Sequence, residues 1–343
     1  MDKKKIFEEI IGVTKVVAPA VVTKQVYDAM FNHHFTTFKP FYFSIEDFPK
    51  LTRERHEFKS CTRNTLVGYV YSYKSKQNKG IFVFSHGFGG GGHHCYLDLI
   101  NAICKLGFYV FAYDATAHDE SEGTTMKGFT QGFLDADSAI SYVEKLSQYQ
   151  KLPLYLCGHS WGAYSVSTAL GNHKQVKGLL AFSGFNQSTG IFKFNGERYA
   201  GDKANDFMIY VDTYERLLFG DICKVTAVDS FKNSKAKICI VHSNDDGTVP
   251  IDAGFNIYKK EFGTNKRFKF IKLMSRGHGT VYYTLEGKMY HDRIHYKYDK
   301  FVKKEKPDEQ GKIEFLKQNL DRKKYNNLID ENLIKKCISF ITK

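Results

Sequence analysis

The centre of this chain is the apolar run Leu152 to Cys157, which leads directly into the pentapeptide Gly158-His159-Ser160-Trp161-Gly162. The run predicts a buried strand, the glycines predict a tight turn, and the small residues that follow as far as Gly171 predict a helix. On such a turn the serine hydroxyl stands above the sheet edge, and the backbone amides of the new helix point to the same place. A plain strand-to-helix turn has the same pattern, so this stretch alone leaves both interpretations open.

The rest of the chain predicts the sheet in which this strand lies. From Gly80 onward, apolar strands alternate with helices, which is typical of a mostly parallel sheet with helices on both faces. Before that point, residues 56–73 predict an antiparallel pair that turns at Arg63 and Asn64. Eight strands are predicted in all, at 56–61, 66–73, 81–84, 108–113, 152–157, 176–182, 238–242 and 268–273. We therefore expect a doubly wound α/β fold whose chemistry lies at the carboxyl ends of the strands.

Three segments stand outside this alternation. Residues 1–50 carry a helical pattern interrupted by Pro19, and they are predicted as an N-terminal helical segment before a main domain of residues 51–343. Residues 187–230 are longer than a crossover helix needs, and we expect them to form a small cap over the open end of the sheet. Residues 281–325 are rich in tyrosine and then in charge, and they are expected to be an irregular excursion. Neither insertion is long enough for a core of its own.

Composition and charge narrow the class of protein. The net charge is +13, but only nine of the 50 basic residues are arginine, the residue that binds bases and phosphates in a bidentate way, so a solvated lysine surface is favoured over a nucleic-acid face. The seven cysteines contain no CxxC pair, which predicts reduced thiols and a cytoplasmic protein. No secretion signal is recognisable and no uncharged run reaches 18 residues, so we expect a soluble protein. A peripheral membrane contact through the N-terminal helix is left open.

Several residues in the predicted loops could complete a site around Ser160. A serine hydroxyl is a weak nucleophile at neutral pH, so it needs an adjacent base, and the base needs a third group to hold its tautomer. His278, between glycines after the last strand, is the candidate base, and Asp246, after the previous strand, is the candidate acid. A developing oxyanion needs two N–H donors, for which we expect the backbone amides of Phe88 and Trp161.

Other interpretations of these motifs are weaker. The glycine run 89–92 lacks the Gly-Lys-Ser/Thr of a phosphate loop. Asp135 and Asp137, on the helix before the serine, are expected to face solvent or to cap. Four histidines fit no recognised zinc spacing and are expected to be structural or solvated: His86, His93, His94 and His118. No metal and no cofactor is therefore predicted.

Four motifs resemble those of the α/β-hydrolase fold serine hydrolases. They are His-Gly-Phe-Gly-Gly at 86–90, Gly-His-Ser-Trp-Gly at 158–162, Asp-Asp-Gly-Thr-Val-Pro at 245–250 and Gly-His-Gly at 277–279. The resemblance covers roughly residues 56–280 and the last helix. It implies that Ser160 is the nucleophile, Asp246 the acid and His278 the base of a catalytic triad. Asp246 is preferred to Asp245 because the family acid stands three residues before the valine of this motif.

The resemblance leaves the substrate open, because enzymes of this fold cleave esters, lipids, thioesters, amides and peptides. The 15% aromatic content and the phenylalanines and tyrosines of residues 187–230 favour an apolar acyl group, which predicts a small-molecule or lipid ester substrate and an esterase of the carboxylesterase or lysophospholipase kind. His159, Phe88 and Trp161 are expected to contact that substrate. A hydrolase of small peptides or acyl amides is one alternative, and a non-catalytic binding protein on the same scaffold is another. The oligomeric state is left open.

Overall fold

The computed structural model describes residues 19–74, 79–200 and 203–343, and of residues 195–200 and 203–207 it describes the backbone alone. The predicted N-terminal segment 1–50 therefore lies partly outside the described residues. Within them, residues 19–31 form a helix, here α1. None of the helices in these ranges is long and apolar enough to cross a membrane.

One sheet of eight strands forms the centre of the molecule. The strands are β1 (Leu51–Lys59), β2 (Thr65–Tyr73), β3 (Ile81–Ser85), β4 (Tyr109–Tyr113), β5 (Leu154–His159), β6 (Val176–Phe182), β7 (Lys237–Ser243) and β8 (Phe268–Leu273). Their order across the sheet is β1-β2-β4-β3-β5-β6-β7-β8. β2 pairs in antiparallel register with both β1 and β4, and the other neighbours are parallel. The predicted eight-stranded, mostly parallel sheet is confirmed.

The helices lie on both faces of this sheet. After α1 they are α2 (Leu97–Lys105), α3 (Thr130–Lys145), α4 (Trp161–Ala169), α5 (Ser188–Ala200), α6 (Lys203–Phe219), α7 (Ala227–Lys232), α8 (Phe255–Phe262), α9 (Leu285–Glu305), α10 (Glu309–Asn319), α11 (Arg322–Tyr325) and α12 (Glu331–Ile341). α1 and α3 to α8 contribute to one hydrophobic cluster, whereas α2 and α9 to α12 contribute to a second. The predicted doubly wound arrangement is therefore confirmed as well.

Strand β3 explains why the central strands are apolar throughout. Ile81 and Val83 belong to the first cluster, and Phe82 and Phe84 belong to the second. Successive side chains of a strand point to opposite faces, so a strand covered by helices on both sides needs an apolar residue at every position. The continuous apolar runs seen in the sequence follow from this burial.

The excursion 281–325 is mostly helical, which corrects the prediction that it is irregular. α9 alone spans 21 residues, and its buried positions include Tyr290 and Ile294, four residues apart on one helical face. The apolar face of α9 is built largely from tyrosine and histidine rings rather than aliphatic side chains. A pattern search that counts aliphatic residues therefore misses this helix.

Residues 187–230 are also helical, in α5, α6 and α7. α6 lies beside α1, since the rings of Tyr27 and Tyr214 meet at a centroid distance of 4.9 Å. Glu215 of α6 is buried and accepts hydrogen bonds from the Tyr27 hydroxyl (2.9 Å) and the Thr130 hydroxyl (2.7 Å). These contacts fasten the insertion to α1 and to the start of α3.

Candidate active site

Ser160 occupies the turn between β5 and α4. Its φ is 56° and its ψ is −121°, a conformation that an L-residue rarely adopts and that costs about 1–3 kcal/mol. The turn brings backbones close together, because a Cβ on Gly162 would lie 2.0 Å from the Ser85 carbonyl oxygen and one on Gly158 would lie 2.5 Å from the Gly162 backbone. The two glycines of the pentapeptide are therefore required by sterics, and they hold Ser160 at the carboxyl edge of the sheet.

The three residues predicted to react lie in one hydrogen-bonded line. His278 Nε2 lies 2.8 Å from Ser160 Oγ, and His278 Nδ1 lies 2.8 Å from Asp246 Oδ2. The carboxylate can only accept, so Nδ1 carries the ring proton and Nε2 is free to accept the serine proton. Ser160 and His278 are 118 positions apart in the sequence, and Asp246 and His278 are 32 positions apart. They meet because β5, β7 and β8 are neighbours or near neighbours in the sheet.

Asp246 is held as a carboxylate. Burial alone would raise its pKa, but hydrogen bonds from His242 and His278 and from the Val249 amide hold the pKa of Asp246 well below its ordinary value. Its Oδ1 accepts from the amides of Thr248 (3.0 Å) and Val249 (2.9 Å). The charge needed beside His278 is therefore stabilised by the loop that carries it.

His242 is a member of this site that the sequence analysis missed. Its Nε2 lies 2.9 Å from the Val249 carbonyl oxygen and 3.3 Å from Asp246 Oδ2, so its N–H is shared between the two. The ring is fully buried at the end of β7. A histidine within a buried strand, four residues before the candidate acid, was the available signal.

The second predicted oxyanion donor lies on the loop after β3. A hydrogen bond joins the Gly87 amide to the Tyr96 hydroxyl at 3.0 Å, and it orients the His86–Gly87 peptide, one peptide before the Phe88 amide. The Phe88 ring packs among Phe31, Phe35 and Phe129, with centroid distances of 5.5, 5.1 and 5.3 Å. One side of the site is therefore apolar.

A cavity of about 230 Å³ opens on the other side, against Ser160 and His278. Phenol and imidazole rings form much of its wall, contributed by Tyr42, Tyr96, Tyr282, Tyr283, His291 and Tyr325. Most of these rings come from the excursion 281–325 and the loop before β1. No side chain that the structure describes within residues 187–230 lines this cavity, so the wall here is not the predicted cap.

The three residues expected to contact substrate differ in their positions. Phe88 and His159 line the cavity. Trp161 does not, because its side chain is 1% exposed and its indole N–H donates to the Phe129 carbonyl oxygen at 2.8 Å. The position of the Trp161 side chain therefore does not support the expected substrate contact. The prediction that the Trp161 backbone amide, at the start of α4, binds the oxyanion does not depend on the side chain.

The four histidines considered as metal ligands, His86, His93, His94 and His118, are all buried. His93 Nδ1 donates to Asp114 Oδ1 at 2.6 Å, and His93 Nε2 meets the Tyr71 hydroxyl at 2.7 Å. His93, His94 and Asp114 offer ligand atoms within 4.8 Å of one another, yet the Arg53 guanidinium lies 3.3 Å from His94 Nε2. A cation at that distance disfavours a metal ion, so the histidines serve better as hydrogen-bonding partners.

Asp135 is buried, which corrects the expectation that it faces solvent. Its carboxylate accepts from the Thr116 amide (2.8 Å), the Thr116 hydroxyl (3.0 Å) and the Gln131 side chain (2.8 Å). Burial raises the pKa of Asp135 to about 6, although these hydrogen bonds oppose the rise. It ties helix α3 to the loop after β4, a contact that helical periodicity cannot reveal.

Parts of this chain are similar to known proteins. A protein-family model described as serine aminopeptidase, S33, matches residues 76–191. The monoglyceride lipase of Rattus norvegicus is 29% identical over 143 residues, which is 40% of this chain and 43% of the lipase. The match thus spans less than half the length of that relative.

Among solved structures, an esterase of Pyrococcus furiosus aligns with a TM-score of 0.57 and 15% identity over 80% of this chain and 98% of the esterase. An acylaminoacyl peptidase of Pyrococcus horikoshii aligns with a TM-score of 0.50 and 18% identity over 67% of this chain and 37% of the peptidase. At these identities the structures establish the fold alone. The chain has the α/β-hydrolase fold, and the resemblance to serine hydrolases of that fold is confirmed.

Proposed function

We propose that this chain is a serine hydrolase that cleaves carboxylic esters through Ser160, His278 and Asp246. The observation that carries the proposal is the hydrogen-bonded line from Ser160 Oγ to His278 Nε2 and from His278 Nδ1 to Asp246 Oδ2, with 2.8 Å at each step. This is the arrangement that a serine needs to react as a nucleophile at neutral pH. The partial matches to a lipase and to a serine aminopeptidase family support the same chemistry.

The mechanism begins with proton transfer from Ser160 to His278. Ser160 Oγ attacks the ester carbonyl carbon, His278 Nε2 takes the hydroxyl proton, and Asp246 stabilises the imidazolium that forms. The tetrahedral intermediate collapses when the C–O bond to the alcohol breaks and His278 gives its proton to the leaving oxygen. Water deprotonated by His278 then attacks the acyl-enzyme, the bond from the acyl carbon to Ser160 Oγ breaks, and His278 returns its proton to Ser160 as the acid leaves. No step requires a metal or a cofactor.

The oxyanion of each tetrahedral intermediate is assigned to the amides of Phe88 and Trp161. The Trp161 amide is the first of α4, where unpaired N–H groups and the helix dipole favour negative charge. The Phe88 amide follows the peptide that Tyr96 orients. Together the two donors stabilise charge that exists only in the intermediate, which is the most effective use of a hydrogen bond in catalysis.

An apolar acyl group suits the side of the site around Phe88, where Phe31 and Phe129 contact its ring. The alcohol part of the ester would then occupy the cavity of about 230 Å³ beside His278, since the leaving oxygen must reach the His278 proton. Phenol and imidazole groups in that wall can hydrogen-bond a hydroxylated alcohol. A lipid-type or other small ester with an apolar acyl arm fits both sides.

Amide bonds are the alternative substrate, because the matching family model is described as a serine aminopeptidase. The same triad can cleave an amide, and the difference lies in how strongly the leaving amine is protonated and held. The two substrate classes are distinguished by measuring kcat/KM for esters and for aminoacyl amides that carry the same acyl group.

The Ser160→Ala variant tests the proposed function. Wild-type protein should hydrolyse p-nitrophenyl butyrate and react covalently with a fluorophosphonate probe, and the variant should do neither above background. Ser167→Ala is the matched control, since Ser167 is a buried serine of the same helix α4 and lies outside the hydrogen-bonded line. Undiminished hydrolysis or labelling in Ser160→Ala would refute the proposal.

We also propose that helices α1 and α6 contact the surface of a membrane. Three valines of α1 are exposed, and α6 exposes Ile209 (67%) and Leu217 (78%). α1 and α6 are neighbours, so these side chains belong to adjacent helices. Exposed apolar residues on adjacent helices suit a lipid interface, from which an ester with an apolar acyl arm would be drawn.

A further inference from the structure

Two side chains, Tyr96 and His159, join the loops that carry the proposed catalytic groups. The Tyr96 hydroxyl lies 3.0 Å from the Gly87 amide nitrogen and 2.9 Å from His159 Nδ1. His159 Nε2 lies 3.0 Å from the carbonyl oxygen of His278. Three hydrogen bonds therefore run without a gap from the oxyanion loop after β3 to the backbone of the triad histidine.

The chemistry of the atoms allows one arrangement of protons along this line. The His278 carbonyl oxygen can only accept, so His159 carries its proton on Nε2. Burial and the neighbouring His278 lower the pKa of His159 to about 3, so its Nδ1 is unprotonated at neutral pH. Nδ1 then accepts from the Tyr96 O–H, and the Tyr96 oxygen accepts from the Gly87 N–H. Every donor in the line has an acceptor.

The glycine at position 87 makes this line sterically feasible. A Cβ on Gly87 would lie 2.5 Å from the Tyr96 hydroxyl oxygen and 3.3 Å from His159 Nδ1. The hydroxyl is therefore wedged against a backbone that carries no side chain. A shift of Tyr96 or of His159 would move the His86–Gly87 peptide, which is directly followed by the peptide that carries the Phe88 amide.

We propose that Tyr96 and His159 form a positioning bridge that fixes the Phe88 oxyanion donor relative to the His278 ring. The inference rests on the proposed function, since it assigns these residues to the reaction of Ser160. Neither residue exchanges a proton with the substrate. The bridge acts through Gly87 at one end and the His278 backbone at the other, so the donor and the base keep one geometry in both steps of the reaction.

A neutral His159 also suits the reaction electrostatically. The rings of His159 and His278 lie 4.8 Å apart between centroids. His278 becomes a cation during each proton transfer, and a second cation at that distance would disfavour it. The hydrogen bond from the Tyr96 hydroxyl occupies the nitrogen that would otherwise take a proton.

The Tyr96→Phe variant tests the bridge, because it removes the hydroxyl and keeps the ring. We expect kcat for p-nitrophenyl butyrate to fall by about 10- to 100-fold, since misplacing a catalytic group by about 1 Å costs a factor of this size. KM should change by less than about threefold, and the rate of fluorophosphonate labelling should fall in parallel with kcat, because both depend on the oxyanion donors. Tyr73→Phe is the matched control: it removes a phenol that donates to Asn101 at 2.7 Å, away from both loops, and it should leave kcat unchanged.

A double-mutant cycle separates a bridge from two independent structural effects. His159→Gln keeps an N–H for the His278 carbonyl but has no acceptor at the position of the ring Nδ1, so it breaks the bond to Tyr96 that Tyr96→Phe also removes. The double variant should therefore be no slower than the slower single variant, whereas losses that multiply would overturn the bridge. If Tyr96→Phe does not fold, the fall in kcat of His159→Gln at unchanged KM carries the test. Equal labelling of wild type and Tyr96→Phe would refute the bridge alone, while absent labelling of Ser160 in the wild type would refute the proposed function.

Discussion

Replacing Asp246 by Asn probes the electrostatic contribution of the triad. Asp246 Oδ2 lies 2.8 Å from His278 Nδ1, and the Asp246 side chain is fully buried. During the reaction His278 becomes an imidazolium beside this oxygen. Asparagine has nearly the same shape but no charge, so the variant loses the ionic attraction, and its NH2 group replaces one of two oxygens that accept hydrogen bonds.

Coulomb's law gives the size of the expected loss. At the 2.8 Å separation and an effective dielectric constant of about 20, two unit charges attract by about 6 kcal/mol. Each 1.4 kcal/mol or so of activation free energy is a factor of about ten in rate. We therefore expect kcat to fall by about 10⁴-fold. KM should stay within about threefold of the wild-type value, because Asp246 does not line the cavity.

The assay is steady-state hydrolysis of p-nitrophenyl butyrate near pH 8, with thermal unfolding as a check on folding. Asp245→Asn is the matched control, because the Asp245 carboxylate accepts a hydrogen bond from the Gly277 amide at 3.0 Å rather than from the His278 ring. We expect it to lose less than about tenfold in kcat. A loss below about 100-fold for Asp246→Asn, or an equal loss in both variants, would refute the assignment.

Three further predictions concern the turn, a buried ion pair and the exposed helices. Gly162→Ala should be both less stable, by about 1–3 kcal/mol, and less active, because the new Cβ would lie 2.0 Å from the Ser85 carbonyl oxygen; urea unfolding and kcat measure this, and wild-type values in both would contradict it. Burial lowers the pKa of His173, but its ring nitrogens lie 3.0 Å from the Glu144 carboxylate and 3.3 Å from the Asp137 carboxylate, and these two acceptors outweigh burial and raise that pKa to about 9. The stability that the charged ring contributes is therefore complete below about pH 6.5, its ordinary pKa, and is lost as the pH rises through about 9. His173→Gln should then lower the free energy of unfolding by roughly 2–3 kcal/mol more at pH 6 than at pH 10, and an equal loss at both pH values would argue against the ion pair. Glutamate at both Val22 and Leu217 should abolish sedimentation of the protein with anionic lipid vesicles at low salt, and failure of the wild-type protein to sediment would end the membrane proposal.

The motif residues were predictable because each has a local requirement that the sequence displays. Gly158 and Gly162 are needed wherever a strand turns sharply into a helix, and the apolar run before them is needed wherever a strand is covered on both faces. Ser160, Asp246 and His278 stand at the ends of predicted strands, and parallel strands bring such ends to one edge. Their proximity thus follows from the fold class.

The supporting residues were not predictable in the same way. His242 and Tyr96 carry no motif, and the sequence predicts that Asp135 faces solvent or caps, because a polar residue on a helix usually faces water. Tyr96 is recognised only by its partners, which are distant in the chain: Tyr96 and His159 are 63 positions apart. A buried polar group depends on where its partner lies, and that location is a property of packing.

The sequence by itself determined the sheet, the sharp turn at Ser160 and the order of the candidate triad, because hydrophobic period and glycine placement act over a few residues. The tertiary structure alone decided which side chains surround the site. Aromatic residues of 281–325, rather than described side chains of 187–230, line the cavity beside His278. The Trp161 ring belongs to the core, and Tyr96 links Gly87 to His159. These contacts join segments far apart in the chain, and only the packing of whole helices against the sheet sets their distances.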